Sequence, residues 1–180
     1  MSHYSIEITE RQPSPVVDHE ILDGAIRRVL LEERIDVATI SLVLVSDSEI
    51  HRVNREFLGH DFPTDVISFR LNEPQEAIGT VVVNPDRIAA QESSESLLPR
   101  DSTESLLSID GELIVSIDTA VREASTHGWS PRAELLLYVV HGLLHLCGYD
   151  DMTDETRPVM RSRERELLAF WGFCPTGLEP

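Results

Sequence analysis

The chain contains no lysine: all 15 of its basic residues are arginines, set against 32 acidic ones for a formal net charge of −17. So acidic a balance excludes bulk attraction to phosphate as the basis of nucleic-acid binding, which would need a local basic patch or a partner that delivers the substrate. Cysteine is scarce too; Cys147 and Cys174 are too few for a disulfide framework or a zinc ribbon. No apolar run reaches the length of a membrane span, and the opening MSHYSIEITERQ lacks the basic-then-apolar layout of a secretory signal. In the absence of contrary signals the expected setting is the cytoplasm, with no membrane partner. No internal repeat or composition break divides the 180 residues, so a single domain over 1–180 is expected, long enough to bury a full core.

What the chain does have is the run from His141 to Asp151, HGLLHLCGYDD. Two histidines four residues apart on a helix lie on one face, one turn above each other. Gly148 is the residue type that ends a helix in the left-handed conformation and lets the chain double back. A carboxylate just after that turn can approach both imidazoles from the side. The pattern His-x3-His-x2-Gly-x2-Asp thus builds three metal ligands from one segment, with no obvious fourth, and suits a catalytic zinc that keeps a position open for water. Residues Leu135 to Leu146 are apolar almost all round, so the helix should be buried on most faces, where two histidines need strong partners. We expect one Zn²⁺ per chain, held by His141, His145 and Asp151; the same donors also accept Mn, Fe, Co or Ni. Asp150 reads as an outer partner that orients an imidazole or the turn. Cys147, about 200° around the helix from His145, should point away and behave as a small buried hydrophobe.

These residues resemble a known family. His141 to Asp150 fits the H-G-x-L-H-L-x-G-Y-D core of the YbeY family, zinc-dependent endoribonucleases of ribosomal RNA maturation. Val53 to Phe69 resembles its other signature, most recognisably at Asp61-Phe62-Pro63-Thr64-Asp65-Val66, and Gly111 to Asp118 is a looser match. The resemblance implies an α+β fold, a small mixed β-sheet packed with helices, with the metal-binding helix in its core and the Asp61 loop facing the metal cleft. It also places the third ligand at position 151, where the family normally has histidine and this chain has Asp151. Two further departures are Leu58 for the family's usual Arg and His60 for its frequent Lys.

Periodicity and punctuation give the elements. Strands are expected over residues 4–9, 38–45, 65–69 and 112–117. Helices are expected from Asp18 to about Glu33, and from a Ser46/Glu49 capping box to Gly59. A third should run from Asp118, as its cap, to Ser125, ending at Gly128. The metal helix should start at Ser130-Pro131, and a last helix, capped by Thr153 or Asp154, should reach about Phe170. Thr80 to Val83 reads as a short strand. Polar, Ser-rich 91–104 belongs to an expected mobile insertion around 72–108.

The function expected from the metal segment and the resemblance is a metal-dependent, single-strand-specific endoribonuclease acting on ribosomal RNA or ribosomal particles. A metal in such a site lowers the pKa of bound water and polarises a phosphoryl oxygen. The residues do not name a general base; His60, Asp61 and Arg70 are the candidates for catalytic or phosphate contact, and turn chemistry around Pro63 is the plainer role for Asp61 and Thr64. One alternative is a metalloprotease, since the ligand spacing is that of metzincin-like enzymes, but Gly142 stands where those place a Glu as base. Another is a non-catalytic assembly factor stabilised by metal, which calls for a fourth ligand such as His127 or His60.

Overall fold

The structure, a computed structural model, describes residues 2–72 and 106–173. The chain runs β1 (His3–Glu10), α1 (His19–Glu32), β2 (Val37–Val45), α2 (Asp47–Val53), β3 (Val66–Arg70), β4 (Ser108–Ser116), α3 (Ile117–His127), α4 (Pro131–Leu146) and α5 (Thr156–Leu168). Local chemistry sets most boundaries. Asp18 accepts the Ile21 N–H at the start of α1, and a full capping box of Ser46 and Glu49 opens α2. α2 continues as one π-helical turn, Asn54–Leu58, and stops at Gly59, whose φ of 72° is left-handed. Ser130 caps α4 with Pro131 in its first turn.

The four strands form one mixed sheet in the order β1-β2-β4-β3, with β1, β2 and β4 parallel and β3 antiparallel to β4. Helices α1, α3, α4 and α5 cover one face, burying Ile26, Leu30, Leu136, Leu143, Met160 and Leu167 against Ile40, Leu42 and Leu113. A smaller cluster of Val43, Val45, Ile50 and Ile67 fills the other face beneath α2. β2 is consequently apolar at nearly every position of its second half, the pattern of a strand covered on both sides. α4 buries eleven of its residues, Glu134 among them, and is the expected core helix.

Several boundaries differ from the sequence reading. β4 begins at Ser108, so Asp110-Gly111 lies inside the strand and not before it. Gly111 is there for close approach: a Cβ would meet Leu146 Cδ1 at 2.6 Å. The cap of α3 is Ser116, which accepts the Thr119 N–H, whereas Asp118 accepts the Asp47 N–H from across the fold. The expected strand at Thr80 to Val83, the 91–104 loop, and the 72–108 insertion except at its ends lie outside the described residues, as does Cys174.

Gly142 is the point where α4 meets the sheet. A Cβ there would lie 2.9 Å from Leu113 Cδ2 and 3.0 Å from both Ser68 Oγ and Val66 Cγ2. Ser68 uses that closeness to donate its hydroxyl to the Gly142 carbonyl at 3.2 Å. Gly142→Ala should therefore overpack the contact and destabilise the fold by about 1–3 kcal/mol, although alanine favours helix. A urea titration giving equal or greater stability for the variant would contradict this.

Candidate metal centre

α4 delivers the first two residues of the site and its C-terminal turn delivers the third. The Gly148 N–H bonds the His145 carbonyl and the Tyr149 N–H bonds the Leu144 carbonyl, each at 3.0 Å, with Gly148 at φ 96°. This is a Schellman turn, and it folds the chain back over the last turn of the helix. The Tyr149 hydroxyl donates to Glu33 Oε2 at 3.1 Å, fixing the turn to the end of α1. Asp150 is exposed and accepts the Met152 N–H, whereas Asp151 returns toward the imidazoles. His141, His145 and Asp151 each offer a ligand atom, all within 4.8 Å of one another.

The hydrogen bonds fix how the imidazoles are protonated. His145 Nδ1 lies 3.1 Å from the Tyr149 carbonyl oxygen, which only accepts, so Nδ1 carries the proton. His141 Nδ1 lies 2.7 Å from Glu164 Oε1, a nearly buried carboxylate on α5, and donates likewise. The two Nε2 atoms then face each other across 3.0 Å. That spacing is met by one proton shared between the rings or by a metal ion lying between them. Asp151 Oδ1 is 3.8 Å from His145 Nε2. Ligands at zinc distances on a tetrahedron are separated by about 3.3 Å, so the spacing of the three donors fits a transition-metal ion. Burial lowers the pKa of His141, but the Glu164 hydrogen bond and the charges of Glu164, Asp65 and Asp151 raise it more, so the site already favours positive charge.

A cleft of about 200 Å³ opens at His141, lined also by Asp65, Asp151, Arg157, Arg161 and Glu164. A larger depression of about 440 Å³ at Glu20, Arg28, Phe170 and Trp171 is more open, and no ligating cluster found among the described residues lies there; His141 and Asp151 of the candidate metal site line the smaller cleft. None of the catalytic candidates from the sequence lines that cleft. His60 stacks on Phe62, with centroids 5.4 Å apart and planes within 8°. Asp61 is exposed and accepts from His51 Nε2 at 2.9 Å. Arg70 donates to the carbonyls of Leu146 and Ser108 and to Asn72, so its guanidinium closes the end of α4. From their loop it is Asp65 that reaches the cleft, its carboxylate held by the Thr64 hydroxyl and the Val66 N–H. Cys147 is pushed up to about 12 by burial and then by the charge of Glu33, as suits a packed thiol.

Glu164, Arg157 and Arg161 were missed in the sequence because they belong to α5. A signal existed. Arg157, Met160, Arg161 and Glu164 recur at helical spacing, so charged residues share a face with an apolar one that is buried.

Comparison with known proteins agrees with the motifs. A family model described as Endoribonuclease YbeY matches residues 7–172. Halalkalibacterium halodurans has an Endoribonuclease YbeY that is 36% identical over 173 residues, spanning 96% of this chain and 94% of the relative. An Endoribonuclease YbeY from Lachnoclostridium phytofermentans is 38% identical over 132 residues, 72% of each chain. The solution structure of a Thermotoga maritima protein shares the fold, with a TM-score of 0.54, 24% identity, and coverage of 92% of this chain and 91% of that one.

Zinc titrations against a competing chelator should separate the neighbouring acids. Asp151→Ala is expected to lose far more metal affinity than Asp150→Ala, and the reverse order would show that the register of the third ligand is wrong. Glu164→Ala, which frees the His141 ring and its tautomer, should weaken metal binding roughly 10–100-fold.

Proposed function

Because this chain belongs to the endoribonuclease YbeY family, we propose that it is a zinc-dependent, single-strand-specific endoribonuclease of ribosomal RNA maturation, working as one domain in the cytoplasm. The observation that carries the reading is the pair of Nε2 atoms facing each other at 3.0 Å with Asp151 beside them, in a chain with this family's motifs. His141, His145 and Asp151 would hold the ion. When bound there, a divalent metal supplies Lewis acidity, activating water and polarising a phosphoryl oxygen. Glu164 and the Tyr149 carbonyl keep both Nδ1 atoms protonated, so each Nε2 stays available as a donor. Asp65, from the β3 side, and α5 form the walls between which a strand of RNA would present its backbone.

The other readings find less support. A protease of this ligand spacing needs a carboxylate beside the first histidine, but position 142 is glycine in a contact with no room even for a methyl group. A purely structural metal calls for a closed ligand set, and among the described residues the cluster has three members. His127 is bonded to Glu134 and His60 is stacked on Phe62. Among the described residues no helix is long and apolar enough to cross a membrane.

Metal-loaded protein should carry about one zinc per chain, cut single-stranded RNA, stop on chelation and leave casein intact. The assay should be run at low salt and with ribosomal particles as well as naked RNA, given the net charge of −17. Cleavage of casein without cleavage of RNA would overturn the reading. Inertness toward both, with metal bound, would favour an assembly factor.

A further inference from the structure

We propose that Arg157 and Arg161 are the side chains that grip the RNA backbone at this site, and that they can do so only after a divalent metal has bound. The inference rests on the endoribonuclease reading and adds the residues that make contact. The two arginines lie one helical turn apart on α5 and both line the cleft that holds His141 and Asp151. Arg161 forms no hydrogen bond or ion pair among the described residues. Among the described residues the Arg157 guanidinium has one partner, Asp154 at 3.0 Å, which is 94% exposed and makes an ion pair of the weak, easily exchanged kind. The other guanidiniums near the site are engaged: Arg163 with Glu33 and Glu166, Arg70 with main-chain carbonyls. Two like charges at this spacing repel, and a planar fork of donors matches a phosphodiester oxygen pair.

Charge gives the order of events. The cleft lining carries three carboxylates, Asp65, Asp151 and Glu164, against the two arginines, a net charge of minus one with neutral imidazoles. A divalent ion reverses the sign to plus one. The empty cleft repels phosphate and the loaded one attracts it, so metal and RNA binding should each strengthen the other. A chain that carries a −17 charge overall would thereby obtain a basic spot confined to the reacting centre.

A labelled, short single-stranded 2′-O-methyl RNA, followed by fluorescence anisotropy with saturating Zn²⁺ and then in EDTA, tests this. Wild type is expected to bind better with zinc. Arg157→Gln and Arg161→Gln should each lose about tenfold of the zinc-dependent affinity and lower the slope of log K against log salt by about 0.7, the value for one contact to a single strand. Arg161→Lys should keep the slope and lose part of the affinity. Arg27→Gln, in an exposed α1 pair with Asp23, should change neither. Zinc content should match wild type throughout; loss of zinc in the arginine variants would mean that they shape the metal site, and would overturn the proposal. So would a double Arg157→Gln/Arg161→Gln variant that binds like a wild type able to bind and cut RNA. A wild type that neither binds nor cuts RNA sinks the endoribonuclease reading and this inference with it.

Discussion

At Gly142 helix α4 meets β3 and β4 with only hydrogen on its Cα, and the positions of both histidines follow from that contact. Val66, Ser68 and Leu113 press on the helix there, and the Ser68 hydroxyl reaches its main chain. Arg70, from the same strand, closes the helix end at Leu146. With one face pinned to the sheet, His141 and His145 are turned toward α5 and the returning turn, half-buried. Close packing here is a requirement of the site, because a helix lifted by a methyl group would carry both imidazoles away from Glu164 and Asp151.

Within that frame, the protons are placed by groups that cannot donate in return. A main-chain carbonyl holds one imidazole and a buried carboxylate the other. Neither bond depends on a mobile surface side chain: Tyr149 is anchored through Glu33, which also receives Arg163 from α5. The turn after α4, the end of α1 and the middle of α5 are thereby joined in one network. Its effect is to turn both Nε2 atoms toward one point, where a shared proton or a metal ion can lie between them.

The sequence was legible where the determinants are local. Asp18, Ser46, Ser130, Gly59, Gly128 and Gly148 end or begin helices as their types predict, because capping is decided within a few residues. α5 departs from the expected cap: its N-cap position is Glu155, which makes no side-chain cap, although the Thr153 hydroxyl accepts the Thr156 N–H in the turn before it. Ser116 and Asp118 are both good caps, and the strand passes into α3 with no loop between; the choice fell to Ser116 because Asp118 is bound to the Asp47 main chain, a tertiary contact invisible locally. The three proposed ligands lie in one short segment and could be read together, whereas Glu164, Arg157 and Arg161 reach the cleft only through the packing of α5 on α4. Arg70 looked available as a strand-end cation, and in the fold it serves the main chain.

The short span from His141 to Asp151 also bears on how the protein folds. Bringing these ends together closes a small loop, most of it already fixed by the helix and its Schellman turn, so little chain entropy is lost. The helix end and turn that carry the three residues are shaped by contacts near in sequence, before the sheet pins them. The sheet, with β2 and β4 paired across residues 37–45 and 108–116, needs distant segments and forms slowly. The three proposed ligands thus lie on one locally shaped segment, to which the docking of α5 adds Glu164 from farther along the chain.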